Sequence, residues 1–169
     1  MMKISLIVEG ETEKIFLDSA RNFLRPRCPA GAMPKLVARP LNSNIPPRRE
    51  LIKIVRAGLP SPNNQVFVHA AQYELEAWLI PYWPWIQQLA LSQRPKPSKT
   101  PEQINNQNPP SKLLSELWRT GGRKSKSYNK VLHLPKILEG QDLEHASKEC
   151  PTLKSFLNRL LTLSGAPAL

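Results

Sequence analysis

The chain alternates short apolar runs with helically spaced apolar positions in its N-terminal part. Ile4, Ser5, Leu6, Ile7 and Val8 form a brief, β-branched run that predicts a buried strand. Gly10 permits a tight turn. From 11 to 24 the apolar residues Ile15, Phe16, Ala20, Phe23 and Leu24 recur at helical spacing, and Pro26 and Pro29 close that segment. Residues 35–39 (KLVAR) predict a second strand, and 49–56 a short helix behind the Pro46-Pro47 turn. A loop at 57–65 leads to VFVHAA (66–71), a third strand. YELEAWLI (73–80) reads as the start of a helix that Pro81 and Pro84 interrupt.

The pattern then changes. Residues 92–110 are rich in Pro, Asn, Gln and Ser and predict a long, partly mobile loop. Pro110 opens a helix with Leu113, Leu114, Leu117 and Trp118 on one face, proline being tolerated in a first turn. The Gly121-Gly122 break is followed by RKSKSYNK, and a last helix starts at Pro151 with Leu153, Phe156, Leu157, Leu160 and Leu161. Strand, helix, strand, helix predicts an α/β fold with a parallel sheet of about three strands and a mostly helical C-terminal part. The expected organisation is one domain over 1–169: an α/β part at 1–80, a Pro/Asn-rich loop at 81–110 and a helical part at 111–169.

Charge adds a partner class. The 169 residues carry 24 Lys and Arg against 13 Asp and Glu, a formal net charge of +11 that suits a polyanion such as nucleic acid. No apolar run approaches the ~20 residues of a membrane span. The start lacks the apolar stretch and cleavage site of a signal peptide, so a cytoplasmic protein without membrane contact is expected. Cys28 and Cys150 show neither metal nor redox spacing and fit reduced thiols. Asp18 and Asp142 are the only aspartates in the chain, so carboxylate chemistry must fall mainly to glutamate.

Two glutamate clusters follow predicted strands. Glu9 closes the first strand and Glu13 lies about one helical turn on, so both can project toward one point. Glu11 and Glu13 also complement a helix dipole, whereas the carboxyl end of a parallel strand is where open α/β sheets bind ligands. Glu74 and Glu76 follow the third strand. They share a face if the chain is extended there and diverge if it is helical. Clustered carboxylates of this kind suit Mg²⁺, with waters and substrate phosphate completing the shell. Ser111 and Lys112 stand at a helix start whose free N–H groups can hold a phosphate. The segment 119–130 carries Arg119, Arg123, Lys124, Lys126 and Lys130 around Tyr128 and contains no acid. That composition fits either a solvated loop or a nucleic-acid backbone contact. His69, His133 and His145 show no ligand spacing.

Taken in order, VEGETEKIF, HAAQYELEAWLI, PPSKLL, SYNKVLH and CPTLKSFLNRL resemble the Toprim-like family of domains of unknown function 4276, related to the nuclease domain of the overcoming-lysogenisation-defect (OLD) proteins. The resemblance implies a Toprim-type site for Mg²⁺, or Mn²⁺ as the alternative. Glu9 would be metal ligand or general acid/base, Glu13 the acid one turn on, and Glu74 and Glu76 the Glu-x-Glu block, with Glu76 at the ligand position. A lysine stabilising charge on the scissile phosphate would be Lys112, with Lys130 second. Related domains cut DNA with two metal ions, and some pair with a partner ATPase. The chain departs from that pattern in one respect: it lacks the Asp-x-Asp pair that ends a central strand of Toprim sites, and 57–65 supplies only a loop where that strand would lie. Two functions follow. One is an Mg²⁺-dependent phosphodiesterase acting on nucleic acid, either catalytically degenerate or completed by acids from another chain; the other is a non-catalytic module binding nucleic acid or an ATPase partner. The shortened sheet also predicts exposed core that a second copy or another chain would cover.

Overall fold

The computed structural model describes residues 3–8, 11–40, 74–104, 108–122 and 127–169. Strands β1 (Lys3–Val8) and β2 (Lys35–Pro40) pair in parallel, in register from Lys3 with Lys35 to Val8 with Pro40. Parallel neighbours need a crossover, and helix α1 (Glu11–Leu24) lies within it. Phe16, Leu17, Ala20, Phe23 and Leu24 of α1 are buried, so the expected apolar stripe is the face that packs. Arg21 donates to the carbonyl of Leu36 at 2.9 Å and ties the helix to β2. This is the expected α/β unit, its parallel sheet short. The helix expected at 49–56 and the strand expected at 66–71 lie outside the described residues.

The apolar run LEAWLIPY forms a 3₁₀ helix, Leu75–Tyr82, with all of its residues buried. Helix α2 (Trp83–Ala90) continues directly from it, so the expected interruption does not occur. Pro81 sits inside the 3₁₀ helix, and Pro84 falls in the first turn of α2, where a missing N–H removes no intrahelical bond. The prolines accompany a change of pitch instead of a stop. Leu91 caps α2 in the left-handed region at φ 52°.

The following segment is loop-like but pinned. Trp83 Nε1 and Gln87 Nε2 both donate to the Arg94 carbonyl at 2.9 Å, and Lys96 pairs with Glu149. A 3₁₀ turn, Pro101–Gln103, buries Glu102.

Helix α3 (Pro110–Thr120) buries Leu113, Leu114, Leu117 and Trp118, as the pattern predicts. Two helices follow that the pattern did not announce, α4 (Lys130–Leu138) and α5 (Leu143–Ser147). Asn129 caps α4 by accepting the Leu132 N–H at 3.0 Å, and Leu134, Ile137 and Leu138 are buried. Asp142 caps α5 through the Glu144 N–H at 2.9 Å. Helix α6 (Pro151–Leu163) buries Leu153, Leu157, Leu160 and Leu161. The C-terminal part is therefore helical.

Trp78 joins three elements in the core. Its ring lies 5.3 Å from Phe16 of α1 and 6.1 Å from Phe156 of α6. Arg27, beyond the end of α1, bridges Asp142 and Glu144 at 2.6 and 2.8 Å and clasps α1 to α5. Both cysteines are free, and burial pushes the Cys150 thiol up to about 12. Among the described residues no helix is long and apolar enough to cross a membrane.

Candidate functional site

The alternatives for Glu74 and Glu76 are resolved by backbone geometry. Glu74 is extended, at φ −144° and ψ 144°, whereas Glu76 already belongs to the 3₁₀ helix. Their side chains part accordingly. Glu74 reaches the start of α3, where it accepts the Ser111 N–H and the Ser111 hydroxyl, each at 2.8 Å. The residue before α3 is Pro109, which has no side chain to cap with, so Glu74 serves as a cap borrowed from distant sequence. The Ser111 N–H expected to await phosphate thus meets a carboxylate, a charge that the helix N-terminus favours in the same way.

Glu76 is unlike its neighbour. It is 1% exposed within an otherwise apolar helix. Lys130, the first residue of α4, places Nζ 3.2 Å from Glu76 Oε1, and the lysine side chain is 48% exposed. The approach is off the hydrogen-bonding direction: Oε1 makes the ion pair yet has no hydrogen-bond partner. Burial pushes the Glu76 carboxyl above its ordinary range, and the Lys130 charge opposes that shift without cancelling it. Tyr128 completes the corner. It is 8% exposed, its hydroxyl also lacks a hydrogen-bond partner, and burial together with the Glu76 and Glu74 charges raises its pKa strongly.

Aromatic contacts hold this corner. Trp118, at the end of α3, lies edge-on to Tyr128 at 5.6 Å and stacks on His133 at 4.7 Å. His133 Nδ1 accepts the Asn129 N–H at 2.8 Å, which fixes its place on the first turns of α4. Arg119 and Lys112 are exposed on α3. Arg123, Lys124 and Lys126 lie outside the described residues, as does Glu9. Glu13 sits half-buried on the first turn of α1.

Magnesium asks for near-octahedral oxygen donors, usually carboxylates with waters. Both oxygens of Glu74 are taken by Ser111, and Glu76 Oε1 faces an ammonium. Among the described residues no group of three or more His, Cys, Asp or Glu side chains is placed to hold a metal ion. The described donors therefore do not fit a divalent cation. Sequence reasoning named Glu76, Tyr128 and Lys130 separately. It did not foresee that Lys130 would close on Glu76, because the contact depends on α4, whose start it read as loop.

A family described as a domain of unknown function, DUF4276, matches residues 47–161. The chain belongs to this family. The DUF4276 match takes in Glu74, Glu76, Ser111, Lys112 and the whole 119–130 segment, and the β1–α1–β2 unit with Glu13 precedes it. No curated protein and no solved structure matches the chain.

Proposed function

We propose that this DUF4276 chain is a nucleic-acid-binding domain of Toprim descent, related to the OLD nucleases, that engages phosphate through the segment 119–130. The observation that carries the reading is the contact between Trp118 and Tyr128 at 5.6 Å. These residues flank a stretch with four cations and no acid, and Lys130 follows two residues beyond Tyr128, so the contact gathers both ends of a basic segment at one place on the surface. Arg119 and Lys130, at either end, are exposed to a ligand. The net charge of +11 supports the same class of partner. No hydrolytic step is assigned, because the described donors do not fit the cation that such a step would use.

The test is fluorescence anisotropy with labelled single- and double-stranded DNA and RNA over a salt series. Binding should weaken steeply with salt, and Arg119→Ala and Lys130→Ala should each lower the slope by about one unit. Absence of binding at low salt, or a slope unmoved by both changes, would return the segment to a solvated loop. Plasmid cleavage with Mg²⁺ or Mn²⁺ that disappears in Glu9→Gln would restore the nuclease reading.

A further inference from the structure

Helix α6 carries two faces of opposite character. Leu153, Leu157, Leu160 and Leu161 fill the core, whereas Lys154, Ser155, Asn158, Arg159 and Thr162 recur along the other side at helical spacing. With Pro151, these five side chains line a cavity of about 430 Å³. That volume suits a small ligand, but ordinary small-molecule pockets are lined mostly by apolar groups. This one has two cations, and no acid among its described lining residues. Its chemistry selects an anion.

The lining residues differ in what they offer. Arg159 is half-buried, which holds its planar fork of donors in place, and Lys154 is exposed as a compact charge on a flexible stem. Asn158 is oriented: its Oδ1 accepts the Leu169 N–H at 2.8 Å, so the donors of the amide sit on Nδ2 at its other end. Thr162 has no donor to give, because its hydroxyl already donates to the Asn158 carbonyl at 2.9 Å. Two carboxylates around the start of α6 are engaged elsewhere. Glu102 accepts the Thr152 and Leu153 N–H groups, and Glu149 pairs with Lys96.

We propose that this cavity on α6 is a phosphate-binding site, with Arg159 and Lys154 as its charges and Ser155 and Asn158 as its neutral donors. A phosphate group accepts from several donors at once, and an arginine fork can meet two of its oxygens side by side. Free phosphate and a nucleic-acid backbone present the same group. The site stands apart from the segment 119–130: α6 packs against α5 and α1, whereas that segment links α3 to α4. It takes phosphate whether or not the segment does, and only its use as a second contact on nucleic acid rests on the proposed function.

The test is a titration of the full chain with inorganic phosphate at constant ionic strength, followed by the nuclear magnetic resonance signals of the Asn158 side-chain amide. Phosphate should shift them saturably, and chloride should not. Lys154→Gln and Arg159→Lys together should weaken phosphate binding at least about tenfold, the second keeping the charge while removing the fork. Thr162→Val should leave it unchanged. If Arg159→Lys unfolds, Lys154→Gln with Ser155→Ala, both at exposed positions, carries the test. A shift that never saturates, or one unchanged in the folded variants, would overturn the site. Oligothymidylate added to the Arg119→Ala, Lys130→Ala double variant distinguishes the sources. Displacement of phosphate by the oligonucleotide at about tenfold lower concentration assigns the site to a nucleic-acid backbone, and no displacement assigns it to free phosphate. Because the phosphate titration contains no nucleic acid, failure of the reading for segment 119–130 would leave its result standing.

Discussion

Glu74 holds Ser111 by both of the serine's donors, the backbone N–H and the hydroxyl, each at 2.8 Å across 37 residues of sequence. Helix α3 begins at Pro110 behind Pro109, and neither residue can cap it. Glu74→Ala should therefore cost about 1–2 kcal/mol, or a few degrees in thermal unfolding for a chain of this size. Ser111→Ala should lose less, because its backbone N–H still reaches Glu74. Equal melting temperatures for Glu74→Ala and wild type would show that water replaces the cap without loss.

Glu76, two residues on, predicts the opposite sign. Burial raises its carboxyl pKa in the folded protein above the unfolded value, with Lys130 only partly opposing. A raised pKa means that the folded chain holds its proton more tightly. Stability linked to this group is fully present below the unfolded pKa and is lost as pH rises through the folded one. Glu76→Gln lacks the buried charge and should melt no lower than wild type at pH 7, with its advantage vanishing as pH falls below about 4.5. Thermal unfolding of both proteins from pH 4 to 7 reads this directly. A Gln variant that melts several degrees lower at neutral pH would mean that the ion pair outweighs the burial.

This contrast marks what the sequence could and could not reveal. Helices α1, α3 and α6 were legible because apolar residues recur at helical spacing and proline stands at the start of two of them. The run LEAWLIPY has no period, being buried on every side, so its 3₁₀ pitch left no trace. Helix α4 was hidden by Pro135 in its middle and by a basic run that reads as loop up to its first residue. The roles of Glu74 and Glu76 were beyond reach for another reason. Their two-residue spacing allowed a shared face or divergence, and only tertiary contacts chose. A hint was nevertheless readable: α3 and α6 begin at prolines preceded by Pro109 and Cys150, neither a capping residue, so each needed an acceptor from elsewhere.

For α6 that acceptor is Glu102. Its carboxylate accepts the Thr152 N–H at 3.1 and 3.0 Å, the Leu153 N–H at 3.2 Å and the Trp78 indole N–H at 2.9 Å. At 6% exposure it joins a helix start to the central tryptophan of the core. Glu102→Ala would strand three donors, two of them buried and the Thr152 N–H half-buried, at about 1–3 kcal/mol for each buried one left unsatisfied, so a loss of roughly 3–5 kcal/mol is expected after relaxation. Glu102→Gln retains an acceptor oxygen and should fall between. Urea unfolding followed by tryptophan fluorescence separates the three. A wild-type midpoint for Glu102→Ala would show that water takes over these bonds.

The last prediction separates geometry from charge at the basic segment. Gly121 ends α3 against the end of α2 so closely that a Cβ there would lie 2.0 Å from the Ala90 carbonyl oxygen. The next residue, Gly122, donates its N–H to the Leu91 carbonyl at 2.9 Å. Gly121→Ala must push the two helix ends apart, an overpacking that typically costs about 1–3 kcal/mol. The same junction sets where the cationic segment leaves α3, yet Gly121 itself carries no charge. Nucleic-acid affinity should therefore fall in Gly121→Ala while the slope of log affinity against log salt stays near the wild-type value, since the number of phosphates neutralised is unchanged. Lys130→Ala should instead lower the slope by about one unit. If Gly121→Ala lowers the slope as much as Lys130→Ala does, the junction decides which cations reach phosphate; unchanged affinity in a folded Gly121→Ala would detach the segment from the junction altogether.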